Sequence, residues 1–248
     1  MSQAHSQFGA DVFSFIENLD RLSEANEVLR VLEGAVARFG FERTLVTGLL
    51  PIEGERFDDL VLASGWPPEF MQLYCERDYI RFDPIARLAR QSANPFVWEG
   101  SSYFRSENAG AAAVMKHAAD FGIARGFIVP IHGPAGYEAA VSMSGVDIDL
   151  PAKLRPGLHL MAQYSFNQIW SVVAPQRKTP CLTGREREVL TWAAKGKSAW
   201  EIGEILHIAK RTVDEHAQHA SRKLGAVNRT QAVAMALRNH LISIEIPV

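Results

Sequence analysis

Two groups of side chains in this sequence have types and spacings that can do chemistry. The first runs from Lys210 to Lys223. Wound as a helix, it sets Val213, Ala217, Ala220 and Leu224 along one seam. Lys210, Arg211, Asp214, Glu215, Gln218, His219, Arg222 and Lys223 fall on the opposite side, with Thr212 at the leading end. Lysine and arginine reach phosphate oxygens, arginine also pairs with a guanine edge, and Gln218 can pair with an adenine edge. Asp214 and Glu215 sit badly beside phosphates but can accept from cytosine. The chemistry on offer is recognition of duplex DNA. A charge run alone is more often a solvated helix face, so its setting must decide. His216 and His219 stand at the spacing of a ligand pair, but no cysteine or further histidine nearby completes a zinc set, and no metal site is expected.

The second group surrounds Asp83. Trp66, Phe70 and Tyr74 precede it, and Trp98 and Tyr103 follow. Phe70 and Tyr74 are one helical step apart and share a face, with Trp66 just before the helix begins. Aromatic residues at helical spacing are usually plain core. A carboxylate among them needs a donor, and the residue before Pro84 is held extended, which fixes its direction. Further on, Tyr137, Ala139, Val141 and Met143 alternate with Ala140, Ser142 and Ser144, giving one bulky face and one small polar face. The small face leaves a void against covering helices unless something fills it. A ligand is one reading and solvent exposure the other.

The elements that must position these groups follow from periodicity. Helices are expected over about Phe8–Leu22, Ser23–Phe39, Pro68–Arg77, after Pro84, over Ala109–Ala119, and from Pro151 to Val173. Strands are expected at Thr44–Leu49, Leu60–Ser64, Phe127–Ile131 and Tyr137–Ser144, the last two as a hairpin around His132–Gly136. This order implies an α/β/α sandwich around an antiparallel sheet. Ala174–Pro180 has two prolines and no apolar period, and reads as a linker.

Beyond the linker, four helices fit: about Thr183–Ala194, Ser198–Leu206, Lys210–Leu224 and Arg229–Leu241. Thr183 with Glu186 forms a capping box, Gly196 suits a left-handed turn, and Ser198 caps the next helix. Ala209 stands where a capping serine would serve the third, a loss of roughly 1 kcal/mol. Capped helix, glycine turn and basic helix together make a helix-turn-helix, so the cationic face is read as a DNA-binding one. The fold expectation is α+β with two domains: residues 1–173, a linker at 174–181, and an all-α four-helix domain at 182–248.

Charge agrees with this division. From Gln176 onward there are 12 Lys and Arg against 7 Asp and Glu, a surplus of +5, which leaves −7 for the first 175 residues. A polyanionic partner is thus expected for the later part only. No apolar run approaches a membrane span, no signal-like start is present, and the two cysteines suit a reducing cytoplasm. A phosphate-receiving regulator would need a strand ending in an aspartate near the start, whereas Asp11 lies in a helical segment. Enzyme chemistry has no support either: no nucleophile elbow, phosphate loop or paired catalytic set occurs, so no catalytic residue is expected.

Residues 182–235 resemble the DNA-binding domain of the LuxR family, through Leu182-Thr183, Arg185-Glu186, Leu190, Gly196-Lys197-Ser198, Glu201-Ile202, Thr212-Val213, His216 and Lys223-Leu224-Gly225. Most of residues 10–170 resembles the acyl-homoserine-lactone-binding domain of quorum-sensing members, through Tyr74, Asp83-Pro84, Trp98 and Gly126. The resemblance implies a pocket in which Asp83 accepts the ligand amide N–H, Tyr74 bonds the acyl carbonyl, Ser142 joins it and Trp98 packs over the lactone. Trp66, Phe70 and Tyr103 complete the expected lining. The family usually has tryptophan in place of Phe70, whose ring cannot donate to the lactone carbonyl, so either the ligand does without that bond, or water or a neighbour such as Trp66 replaces it, or the ligand is not a standard acyl-homoserine lactone. The resemblance implies no cofactor but a small effector, an acyl- or aryl-homoserine lactone, the alternative being a regulator of this type that responds to a different small molecule or acts without ligand. One short recognition helix reads too few bases, so a homodimer on a pseudo-palindromic operator is expected.

Overall fold

Alternation of large and small side chains builds one antiparallel sheet in the amino-terminal unit. The computed structural model describes residues 2–48, 56–99, 109–133, 136–174, 181–239 and 241–244, and it divides into units Met1–Gln176 and Arg177–Val248. In the first unit the elements run α1 (Ser2–Leu19), α2 (Ala25–Val36), β1 (Arg43–Thr47), β2 (Val61–Ser64), α3 (Pro68–Glu76), α4 (Pro84–Gln91) and β3 (Phe96–Glu99). Then follow α5 (Ala109–Asp120), β4 (Arg125–Gly133), β5 (Gly136–Gly145) and α6 (Arg155–Val173). The strands order as β2-β1-β5-β4-β3, with every neighbouring pair antiparallel.

Each strand shows one face to each helix layer. Val46, Phe127, Val129, Ala139, Val141 and Met143 pack with α1, α2 and α6 in one core. Leu45, Ile128 and Ala140 turn the other way and pack with residues of α3, α4 and α5 in a second. The expected three-layer sandwich is therefore the observed one. The expected helix start at Phe8 is really at Ser2, and the expected strand end at Leu49 lies outside the described residues. β3 has no counterpart among the expected strands. Its four residues follow Pro95 and are too few to declare a period.

One detail of the hairpin departs from simple alternation. Ile131 pairs with Ala139, but His132 pairs with Tyr137, so Glu138 is the extra residue of a β-bulge. The bulge moves Tyr137 off the bulky face expected for it and onto the face of Ala140 and Ser142.

The second unit is helical: α7 (Gly184–Ala194), α8 (Ala199–Leu206), α9 (Lys210–Leu224) and α10 (Arg229–Arg238). Two capping boxes start α7 and α8, with Thr183 paired to Glu186 and Ser198 to Glu201. Backbone and side-chain donors at Ser198 and the amine of Lys197 hold the Glu201 carboxyl down at about 2. Gly196 takes the left-handed turn at φ +81°, and Ala209 stands at the N-cap of α9 with no side-chain cap bond, both as expected. Val213, Ala217, Ala220 and Leu224 are its buried seam. Residues 175–180, most of the expected linker, lie outside the described residues.

Candidate functional site

Asp83 starts α4 and also faces a cavity. Its backbone is extended before Pro84, and its Oδ1 accepts from the N–H groups of Ile85 at 2.8 Å and Ala86 at 3.2 Å, an N-cap. Oδ2 accepts from the Tyr74 hydroxyl at 2.7 Å. A carboxylate oxygen has two acceptor sites, so Oδ2 keeps capacity for one more donor. Burial pushes the Asp83 carboxyl above the usual carboxylate range, against the hydrogen bonds from Tyr74, Ala86 and Ile85 and the charge of Arg90. The same burial, with Asp83 alongside, raises the Tyr74 hydroxyl well above its ordinary value.

The cavity leaves about 70 Å³ for the centres of water-sized spheres, several times what one water needs. Its wall comes from the sheet face of Ala140 and Ser142 and from α3, α4 and α5. Trp66, Phe70, Tyr74, Asp83, Trp98 and Ser142 all line it. The expected lining residue Tyr103 lies outside the described residues. Phe70 and Tyr74 are each only 1% exposed, and the rings of Trp66, Phe70 and Tyr74 form a contact cluster with centroids 5.0 to 5.9 Å apart. Most of the wall is apolar, so each polar group in it is conspicuous.

Several lining residues had no sequence signal of their own. Val114, Met115 and Ala118 of α5 look like any helix core, and Phe57 and Leu60 sit on a short turn before β2. Tyr137 reaches the cavity only because of the bulge. Its hydroxyl pairs with Thr47, and burial lifts it to about 12, against the pull of Arg90 and of that bond. α5 is tied in place by the Tyr79 hydroxyl, 2.6 Å from His117 Nδ1.

Trp98 owes its position to a missing side chain opposite. A Cβ on Gly126 would come within 2.5 Å of the Met143 carbonyl oxygen and 2.8 Å of the Trp98 ring. We expect Gly126→Ala to displace the indole and destabilise this unit by roughly 1–3 kcal/mol, the range for overpacking. Denaturant unfolding checks it; unchanged stability with unchanged Trp98 fluorescence would refute the seat.

On the second unit, Lys210, Arg211, Asp214, Glu215, Gln218, His219, Arg222 and Lys223 are all exposed on α9, and Thr212 is half-buried. Two of these cations have partners. Arg211 pairs with Glu215 one turn on at 3.1 Å. Lys223 donates to Glu186 Oε2 at 2.7 Å, and Glu186 is only 3% exposed. Burial would raise the Glu186 carboxyl, but bonds from Lys223 and Thr183 outweigh it and hold the group low. Among the described residues, no set of three or more His, Cys, Asp or Glu could hold a metal, and no helix is long and apolar enough to cross a membrane.

A family model described as an autoinducer binding domain matches residues 24–169, and one for bacterial regulatory proteins of the luxR family matches residues 180–236. The chain is 51% identical over 240 residues to the transcriptional activator protein BjaR1 of Bradyrhizobium diazoefficiens, covering 95% of this chain and 98% of that one. It is 38% identical over 236 residues to the HTH-type quorum sensing-dependent transcriptional regulator RpaR of Rhodopseudomonas palustris, covering 95% and 96%. Among solved structures, SdiA in complex with octanoyl-rac-glycerol matches with a TM-score of 0.74 at 22% identity, covering 97% of this chain and 98% of that one. At that identity the structural likeness speaks for the fold.

Proposed function

Because this chain belongs to the LuxR family of transcription regulators, with an autoinducer-binding domain followed by a helix-turn-helix domain, we propose that its signal is an acyl- or aryl-homoserine lactone. One observation supports this above the rest: the Asp83 carboxylate lines an apolar, aromatic cavity and keeps acceptor capacity on Oδ2. An amide N–H is the donor such a site favours, since an uncharged ligand can enter an apolar chamber that would exclude a cation's hydration shell. Tyr74, Trp98 and Ser142 are assigned to the same ligand, with Trp66 and Phe70 as walls.

The α9 face then reads DNA. A short recognition helix meets only a few base pairs, so the active species is a homodimer on a pseudo-palindromic operator. The likeness to BjaR1 supports activation rather than repression. The site of action is the cytoplasm, where the DNA is. No metal or organic cofactor takes part.

The test is calorimetry of the full chain with a panel of acyl- and aryl-homoserine lactones, followed by sedimentation and operator binding with and without the tightest of them. Binding should raise the melting temperature, because a ligand held by the folded state alone stabilises it by mass action. Failure of every lactone to bind would sink the proposal.

A further inference from the structure

We infer that the indole N–H of Trp66 holds a carbonyl oxygen of the signal beside Asp83, an inference that rests on the lactone reading above. Trp66 lines the cavity, and its Nε1 is buried with no hydrogen-bond partner among the described residues. Buried donors are rarely left in that state, since water lost from the group must be replaced by something.

Two hydroxyls of the cavity wall already have partners within the protein. The Tyr74 hydroxyl donates to Asp83, and the Tyr137 hydroxyl pairs with Thr47. Phe70, against which the Trp66 ring packs at 5.0 Å, has no donor at all. The Trp66 ring also lies 5.4 Å from that of Tyr74, which places it next to the Tyr74–Asp83 pair. Trp98 Nε1 likewise lacks a partner among the described residues; its ring seats on Gly126 of β4, whereas that of Trp66 packs on Tyr74. Beside the Tyr74–Asp83 pair, the wall therefore offers an acceptor on Asp83 and, on the Trp66 ring that packs against Tyr74, a donor without a partner among the described residues. An N-acyl lactone offers the complement: one N–H with a carbonyl on either side. Two such contacts fix the ligand's orientation, where one would leave it free to pivot.

The experiment compares wild type with Trp66→Phe in the full chain by calorimetry, using three ligands that share one acyl chain. One is the homoserine lactone, the second an N-acyl-3-aminotetrahydrofuran without the ring carbonyl, and the third the thioamide of the lactone, whose sulfur is a weak acceptor. Loss of ring packing in the variant weakens all three alike and cancels in the ratios. The expected result is that wild type disfavours one analogue by about 10-fold, as loss of one such bond implies. In Trp66→Phe that discrimination should fall below about 2-fold, and the affected analogue identifies the carbonyl. Should the variant not fold, the indole ¹⁵N–¹H resonance of Trp66 in wild type gives the same answer, shifting with the lactone and less with one analogue. Equal ratios in both proteins, or a resonance indifferent to all three ligands, would overturn the inference alone. Wild type binding none of them would overturn the lactone reading with it.

Discussion

Asp83→Asn should lower affinity for the proposed homoserine-lactone signal by roughly 10- to 150-fold, the range of a charge-assisted hydrogen bond worth about 1.5–3 kcal/mol. Asparagine keeps an acceptor for the Ile85 and Ala86 N–H groups, so α4 should still start in place. Calorimetry at neutral pH measures the loss; affinity within a factor of two of wild type would rule out the contact. The pH dependence is a second reading of the same residue. The folded-state carboxyl titrates above its unfolded value. Its contribution to stability is therefore fully present below the unfolded pKa and is lost as pH rises through the folded one. Relative to Asp83→Asn, the ligand-free wild type should thus become less stable toward neutral pH. Over that window its affinity for ligand should rise, because in the proposed contact the ionised form accepts the N–H. The two opposite slopes have one cause.

Arg222→Ala and Lys223→Ala, neighbours on α9, should fail in different ways. Arg222 is exposed and has no ion pair among the described residues. Its removal should weaken DNA binding on all sequences and reduce the log–log salt slope by about 1, with the melting temperature unchanged. Lys223 instead braces α9 against the buried Glu186 of α7. Its removal should destabilise the helical unit by about 2 kcal/mol, as expected for a lost hydrogen bond between charged groups with one partner half-exposed. Glu186 titrates below its ordinary value. Wild type's advantage over Lys223→Ala should therefore hold above the ordinary carboxylate range and vanish as pH falls through the depressed value. Thermal unfolding and salt-dependent operator binding separate the two. Identical behaviour of the two variants would refute the distinction.

These cases show how far the chain could be read without coordinates. Capping boxes at Thr183 and Ser198, the Gly196 turn and the seam of α9 are local features, set by residues within a turn or two, and all were legible. Asp83 was legible because proline fixes the backbone beside it. What escaped depends on partners far away in sequence or on a count that slips by one. The brace from Lys223 reaches back 37 residues to Glu186. α5 contributes cavity wall with side chains that would serve equally well in solid core. Strict alternation puts Tyr137 on the wrong face, because it leaves no place for the extra residue Glu138.

That extra residue gives the hairpin an unusual kind of adjustability. From Ala139 to Gly145, β5 pairs with β4 in unbroken register, and the shift lies wholly on the loop side of it. Shortening the segment by a single codon would withdraw the phenol from the chamber and present a different group there, with the rest of the sheet undisturbed. A small insertion or deletion there would thus alter the chamber's lining at one place, without touching the Tyr74–Asp83 pair on the covering helices.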